Sequence, residues 1–122
     1  MAVDAGYVDG FVQAVPNENK AAYTEMSRKF AAVMKRYGAI AYVECWGDDV
    51  PDGKVTSFPM SVKCKEDETV VFSFCLWPDK DTRTTGWAAM ESDPEMASMD
   101  PASMPFDGKR MIYGGFTPFI NI

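Results

Sequence analysis

Four stretches of the chain show the two-residue alternation of a β-strand or a short continuous apolar run. These stretches, 7–15, 39–46, 69–77 and 109–119, each predict a strand. The third, TVVFSFCLW, is apolar at nearly every position and therefore predicts a central strand. The last contains Gly114-Gly115, which predicts a β-bulge.

The segment between the first two strands predicts a helix over about 17–37. Its apolar side chains recur at three- and four-residue spacing: Ala22, Tyr23, Met26, Phe30, Val33, Met34 and Tyr37. Asn17 is the predicted N-cap, and Gly38 is placed to end the helix.

Shorter helices are predicted elsewhere in the chain. A second helix is expected over about 79–92, and Asp93-Pro94 predicts a further short turn of helix. The polar segment 47–69 is long for a structureless connection, so 57–62 is expected to form a short helix or an arm on a partner.

The order of these elements is strand-helix-strand, strand-helix-strand, the ferredoxin-like βαββαβ pattern. We therefore predict one α+β domain over 1–122, with a four-stranded antiparallel sheet and helices on one side. Because helices pack closely on small side chains, Val8, Gly10, Val12 and Ala14 are expected to lie beneath them. The opposite face of the sheet is then left uncovered, and we expect it to pack against a second copy in a homodimer.

Composition excludes several chemistries and partners. The 122 residues include no histidine, which excludes histidine-dependent nucleophiles, zinc ligands and haem ligands. A net charge of −6 argues against a nucleic-acid partner. The N-terminal segment lacks a basic, apolar leader, and no apolar run reaches the length of a membrane span. We expect a cytoplasmic protein that does not contact a membrane.

Two motifs resemble metal sites, but each fits a simpler interpretation. The acidic turn at 48–53 lacks acids at two required positions of a calcium loop. The methionines of the last third favour adaptable core filling over Cu(I) binding: Met90, Met96, Met99, Met104 and Met111. We predict no metal site and no cofactor.

The three cysteines favour structural roles. Cys64 lies between two lysines, yet the chain offers no histidine as its base. Cys45 and Cys75 fall on strand faces and are predicted to be small core residues.

The face opposite the small residues is aromatic and acid-bearing, and it is the strongest candidate for function. Its two carboxylates, Asp9 and Glu44, are candidate bases. The candidate ligand-binding residues are Tyr7, Phe11, Tyr42, Trp46, Tyr113 and Arg110. Aromatic walls with few polar anchors are typical of sites for flat, apolar molecules. A dimer interface with two satisfied carboxylates explains the same pattern, and both interpretations stay open.

Four segments of the chain carry a family resemblance. They are YVDGFV at 7–12, SFP at 57–59, ETVVFSF at 68–74 and FDGKRMIYGGF at 106–116. In these segments the chain resembles the YbaA-like family of uncharacterised bacterial proteins (domain of unknown function DUF1428), in the dimeric α+β barrel superfamily. The resemblance implies a homodimer whose two sheets pair through faces that helices do not cover. It implies no established activity.

Three functions fit these observations. The first is a homodimer that binds an apolar or aromatic small molecule in the barrel interior. The second is an enzyme of the cofactor-independent monooxygenase type found among similar barrels, with Asp9 or Glu44 as the base. The third is a structural dimer whose aromatic face is filled by side chains.

Overall fold

A four-stranded antiparallel sheet forms the centre of the molecule. The computed structural model describes residues 2–122. The strands are β1 (Tyr7–Pro16), β2 (Ala41–Trp46), β3 (Glu68–Trp77) and β4 (Ile112–Phe116), and their order in the sheet is β2-β3-β1-β4. The helices are α1 (Lys20–Arg36), α2 (Phe58–Ser61), α3 (Lys80–Met90) and α4 (Pro94–Ala97). This order and connectivity confirm the predicted ferredoxin-like βαββαβ fold, with β1 and β3 in the centre.

The ends of the helices follow local chemistry. Gly38 stops α1 with a φ of +110°, a left-handed conformation that glycine adopts without a steric penalty. The Asp79 carboxylate caps α3 by accepting a hydrogen bond from the Thr82 backbone N–H at 2.7 Å. The fourth strand is shorter than predicted because Gly108–Arg110 forms a 3₁₀ turn instead of extended chain. Among residues 2–122, no helix combines the length and apolar character that a membrane crossing requires.

The aromatic and acid-bearing face lies beneath the helices, so the expectation that it is uncovered is wrong. Tyr7 and Phe11 of β1 pack with Val33 and Met34 of α1 in the main hydrophobic core. The alternation along β1 places Asp9 on the same side. One long and one short helix cover the sheet loosely, so large side chains are needed to fill the space between the two layers.

The small residues of β1 allow a different close contact. Val12 and Ala14 pack against Val70 of β3 and against Val62, which follows α2. The predicted short helix at 57–62 is thus confirmed, and it covers one end of the face opposite α1.

We call the remainder of the face opposite α1 the open face. Its larger apolar side chains are Val43, Phe72, Phe74, Leu76, Ile112 and Phe116. Val43, Phe72, Ile112 and Phe116 are each more than a third exposed. An apolar sheet surface of this kind is unusual for a subunit that works alone.

The cysteines divide between the two faces of the sheet. Cys75 is fully buried beneath the helices, as predicted, and burial raises the pKa of its thiol to about 12. Cys45 is exposed on the open face, so its prediction as a core residue is wrong for the single subunit. Cys64 is half-buried beside the Val12 contact, and burial raises the pKa of its thiol, which does not favour the nucleophilic thiolate.

The predicted bulge at Gly114-Gly115 is absent, because both glycines pair in register with Gly10 and Asp9 of β1. Gly115 instead allows the backbone of β4 to pack closely against the Tyr7 ring. A Cβ at this position would lie 2.3 Å from the hydroxyl oxygen of Tyr7, so only glycine lets β4 approach that ring.

Candidate functional site

A cavity of about 920 Å³ lies between the covered face of the sheet, α1 and the segment that leads from α3 to β4. We call this segment, residues 93–111, the strap. The sheet and helices contribute a mainly aromatic wall: Phe11, Tyr42, Tyr113, Phe30 and Trp87. Phe30 contacts both Tyr42 and Trp87 with ring centroids 5.5 and 6.0 Å apart, so these rings form one continuous surface.

The strap is assembled from consecutive seven-residue units that begin at Asp93, Asp100 and Asp107. Each aspartate accepts a hydrogen bond from the backbone N–H two residues later, at 2.8, 3.0 and 3.1 Å, and so starts a short turn. Each unit then supplies two large side chains to the cavity wall, and the last of them, Tyr113, already belongs to β4: Met96 and Met99, Met104 and Phe106, Met111 and Tyr113. The methionines predicted to fill the core therefore also line the cavity, except Met90, which is buried in the core. Flexible thioethers suit a wall that adjusts to its contents.

Three contacts fix the strap to the rest of the domain. At its start, the Asp93 carboxylate accepts hydrogen bonds from the Tyr37 hydroxyl at 2.7 Å and from Arg36 at 3.0 Å. These bonds hold the pKa of Asp93 below its ordinary value. In its middle, the Asn19 side-chain amide donates to the Pro105 carbonyl at 3.1 Å.

The third contact is the ion pair between Arg110 and Glu68 at the end of the strap. Two guanidinium nitrogens of Arg110 donate to the two Glu68 carboxylate oxygens at 2.8 and 2.7 Å. The pair holds the pKa of Glu68 at about 2. Arg110 is thus committed to anchoring the strap and does not line the cavity.

The polar end of the cavity is organised around Glu44. One of its carboxylate oxygens accepts hydrogen bonds from the hydroxyls of Tyr23 and Ser73, the latter at 2.9 Å, and from the Gln13 amide nitrogen at 3.3 Å. The other oxygen accepts from the Tyr42 hydroxyl at 2.9 Å. All but Ser73 also line the cavity. The cavity therefore ends in a connected set of hydrogen-bonding groups.

Both phenols in this set remain protonated at neutral pH. Burial, together with the neighbouring Glu44 carboxylate, raises the pKa of Tyr23 and of Tyr42 well above the ordinary value for tyrosine. Each phenol is therefore a fixed donor to Glu44 and holds that carboxylate in one orientation.

Asp9 has a different environment, on the same face but outside the cavity wall. The Arg83 guanidinium donates to both of its carboxylate oxygens, with the shortest contact at 2.8 Å. The indole N–H groups of Trp77 and Trp87 each donate to it at 2.9 Å. Arg83 also lies over the Tyr7 ring, 5.3 Å from its centroid. Asp9 is thus saturated with donors, and it orients Trp87, whose ring does line the cavity.

The residues that the sequence proposed for the site therefore fall into two groups, those at the main cavity and those away from it. Phe11, Tyr42, Glu44 and Tyr113 come together at the main cavity. The other four lie elsewhere: Tyr7, Asp9, Trp46 and Arg110. Trp46 lines a smaller cavity of about 360 Å³ that shares Tyr42 and Glu44 with the main one, and the Lys20 ammonium lies 4.6 Å from its ring centroid.

Sequence reasoning missed the residues that α1 and the strap contribute. The helical face with Tyr23, Met26 and Phe30 was expected to pack against small strand residues, so it gave no sign of a cavity. The strap carried a readable signal, an aspartate every seven residues followed by proline or glycine and then by apolar positions.

Comparison with known proteins places the chain among relatives of similar length. The model of a family described as a protein of unknown function, DUF1428, matches residues 6–108. The chain belongs to this family. The uncharacterized protein YbaA of Escherichia coli K12 is 56% identical over 115 residues, covering 94% of this chain and 97% of its own. YbaA of Shigella flexneri matches with the same identity and coverage. These matches confirm the resemblance seen in the sequence.

The fold of this DUF1428 protein is also found among solved structures, as one example shows. It is a mutant of SnoaB, a cofactor-independent oxygenase from Streptomyces nogalater, with a TM-score of 0.58 and 16% sequence identity. The alignment covers 95% of this chain and 96% of SnoaB. At this identity the likeness establishes a common α+β architecture.

Proposed function

We propose that this protein binds a flat, largely apolar small molecule in the cavity beneath its helices. The observation that carries the proposal is the cavity of about 920 Å³ with aromatic and thioether walls and one polar end. Its volume falls within the roughly 300–1,000 Å³ typical of sites for small molecules. The binding site lies inside each subunit, between sheet and helices, and replaces the interior between two sheets expected from the sequence.

The wall chemistry supports a ring system as the ligand. The Trp87 ring centroid lies 6.5 Å from that of Phe11 and 6.0 Å from that of Phe30, and these rings offer stacking and edge contacts to a flat molecule. The opposite wall is formed by methionines of the strap, which adapt to different ring outlines. No cofactor is needed for binding of this kind.

Calorimetric titration with fused aromatic hydrocarbons, phenols and quinones tests the proposal. We expect at least one of these classes to bind, and binding to weaken by about tenfold or more in Ser27→Phe, whose added ring occupies cavity volume beside the buried Ser27 position. The control is Ala32→Phe, an exposed position on the same helix that does not line the cavity. Failure of every class to bind, or equal weakening in both variants, would contradict the proposal.

A second candidate function, a cofactor-independent oxygenase, is favoured by the shared fold with SnoaB together with the carboxylate at the cavity wall. In this scheme Glu44 removes a proton from an activated CH₂ group of a phenolic substrate. The carbanion reacts with dioxygen to give a hydroperoxide, which loses water and leaves a carbonyl group. One oxygen atom thus stays on carbon and the other leaves as water. Tyr42 and Tyr113 position the ring.

Oxygen uptake with polyphenolic substrates tests this second function. Glu44→Gln is expected to lower the rate by about 100-fold or more, the usual contribution of a general base. Asp9→Asn serves as the matched control, because Asp9 lies outside the cavity wall and is saturated by Arg83 and two indoles. If neither substitution changes the rate of oxygen uptake, the proposed oxygenase function is contradicted. The proposal of ligand binding is not affected by that result.

The partner we propose is a second copy of the chain, bound through the open face. The exposed side chains of Val43, Phe72, Ile112 and Phe116 lie on one face of the sheet, on β2, β3 and β4, with β1 between β3 and β4, and they contribute to one apolar surface. Pairing of two such surfaces removes apolar area from water, which is the main driving force for stable association. The homodimer we propose thus forms through the face of the sheet opposite to the one expected from the sequence.

A further inference from the structure

The strap is bound tightly to the domain at its two ends and weakly between them. Charged side chains, Asp93 and Arg110, anchor the two ends through the contacts described above. We call residues 96–106, which lie between these anchors, the middle segment. Its backbone hydrogen bonds all stay within the strap. Within the described chain, one hydrogen bond joins the middle segment to another element, from the Asn19 amide to the Pro105 carbonyl.

The middle segment is a single layer of chain between the cavity and the solvent. None of its residues is buried, yet it supplies large side chains to the cavity wall: Met96, Met99, Met104 and Phe106. Segments with few buried contacts and only local hydrogen bonds open at a lower cost in free energy than the core of a domain. The wall formed by the middle segment is therefore the part of the cavity that separates most easily.

Two neighbouring contacts join the middle segment to the start of α1. The Asn19 side chain holds the Pro105 carbonyl, and the Phe106 ring packs edge to face against Tyr23 with the ring centroids 5.5 Å apart. We call these four residues the latch. A neutral hydrogen bond and one ring pair are weaker than the bidentate, charge-assisted bonds of Arg110. The latch is therefore expected to release while both ends of the strap stay bound and act as hinges.

The latch is connected to the polar end of the cavity through Tyr23. The Tyr23 ring contacts Phe106, and its hydroxyl donates a hydrogen bond to the Glu44 carboxylate. A closed latch therefore helps to keep this donor in place beside Glu44.

We propose that the middle segment is a lid, which opens at the latch to admit a ligand and closes over it. This inference rests on the proposed function, because the closed lid contacts the ring that the cavity binds. A bound ring touches Met96, Met99 and Met104 only when the lid is closed, so binding shifts the equilibrium toward the closed state. Lid motions of this kind take microseconds to milliseconds.

Relaxation dispersion of the methionine methyl groups tests the lid in the protein without ligand. We expect exchange on this timescale at Met96, Met99 and Met104. Met26 of α1 and Met111, which follows the second hinge, line the same cavity and are expected to show no exchange. Exchange at all five methyl groups would indicate motion of the whole cavity wall, and exchange at none would indicate a rigid strap. Either result would overturn the lid.

Replacement of Asn19 by Ala weakens the latch without changing the cavity wall. Asn19 does not line the cavity, and its side chain makes no capping hydrogen bond to α1. We expect the population of the open state to rise about fivefold, the effect of one lost neutral hydrogen bond. β-Naphthol, a fused-ring phenol, should also dissociate about fivefold faster. Stopped-flow tryptophan fluorescence measures this rate, because Trp87 lines the cavity.

The matched control is Asn121→Ala, which removes a similar amide-to-carbonyl hydrogen bond, of 2.8 Å to Val3, outside the strap. It should change neither the open population nor the dissociation rate. Equal values in Asn19→Ala and the wild-type protein would overturn the lid and leave ring binding in place. Failure of β-naphthol to bind the wild-type protein would instead contradict the ring site, and the inference with it.

Discussion

Replacement of Arg83 by Met is expected to lower the free energy of unfolding by about 3 kcal/mol at pH 7. Arg83 supplies the only cation that contacts the Asp9 carboxylate among residues 2–122, and that carboxylate side chain is 3% exposed. Removal of one member of a buried ion pair leaves an uncompensated charge, which costs about 3–5 kcal/mol. We expect the lower end of this range, because the Arg83 side chain is 25% exposed and water can partly replace it.

Urea denaturation at pH 7 measures this effect, with Arg28→Met as the control. Arg28 is exposed on α1 and forms no ion pair within the described residues, so its loss should change the free energy of unfolding by about 0.5 kcal/mol or less. The double variant Asp9→Asn, Arg83→Met removes the buried charge together with its partner and should recover part of the loss. A change below about 1 kcal/mol in Arg83→Met would show that the ion pair is not needed to hold Asp9.

Substitution of Phe72 by Glu is expected to convert a dimer into single subunits. Phe72 lies near the middle of the open face, contacts Phe58 and Phe74, and is 43% exposed in the subunit. A carboxylate buried at the centre of a paired apolar surface would have no cation to compensate it, and the desolvation cost of several kcal/mol weakens association by about 100-fold or more.

Light scattering after size-exclusion chromatography at micromolar concentration measures the mass of the particle in solution and so tests this prediction directly. The wild-type chain should elute with twice the subunit mass of 13.5 kDa, and Phe72→Glu with the subunit mass. Val55→Glu adds the same charge at a 95% exposed position in the loop before α2 and should leave the dimer intact. A wild-type protein with the mass of one subunit would contradict the proposed partner.

The order of the elements was predictable from the sequence because each signal was local. Helical periodicity over 20–36 and the stop at Gly38 depend on neighbours along the chain, and so does the apolar run of β3. The split arrangement of β1 and β2 around β3 then followed from the chirality and packing rules of βαβ units.

Which face the helices cover was not predictable by the same means. Alternation correctly grouped Tyr7, Phe11, Tyr42 and Glu44 on one face, but it does not say which face that is. The rule that small residues lie beneath helices assumes close packing of the two layers. In this domain the layers are separated by rings and a cavity, and the small residues of β1 receive the segment after α2 instead.

The two candidate carboxylates show why residue type alone does not assign a role. Asp9 and Glu44 occupy equivalent places in the alternation of their strands, yet only Glu44 lines the cavity. The difference is made by Arg83, which is 74 positions away from Asp9 along the chain and has no sequence signal that links the two. Roles set by such distant partners require the three-dimensional arrangement.

The most direct test of the ring-binding cavity is the NMR spectrum of the methionine methyl groups during titration with β-naphthol. Ring-current shifts are expected at the methionines that line the cavity, Met26, Met96, Met99, Met104 and Met111. The signals of Met34 in the core and of Met60 beside the open face should not move. Shifts confined to Met60 would place the ring on the open face, and an unchanged spectrum at saturating probe would show that the cavity beneath the helices does not bind it.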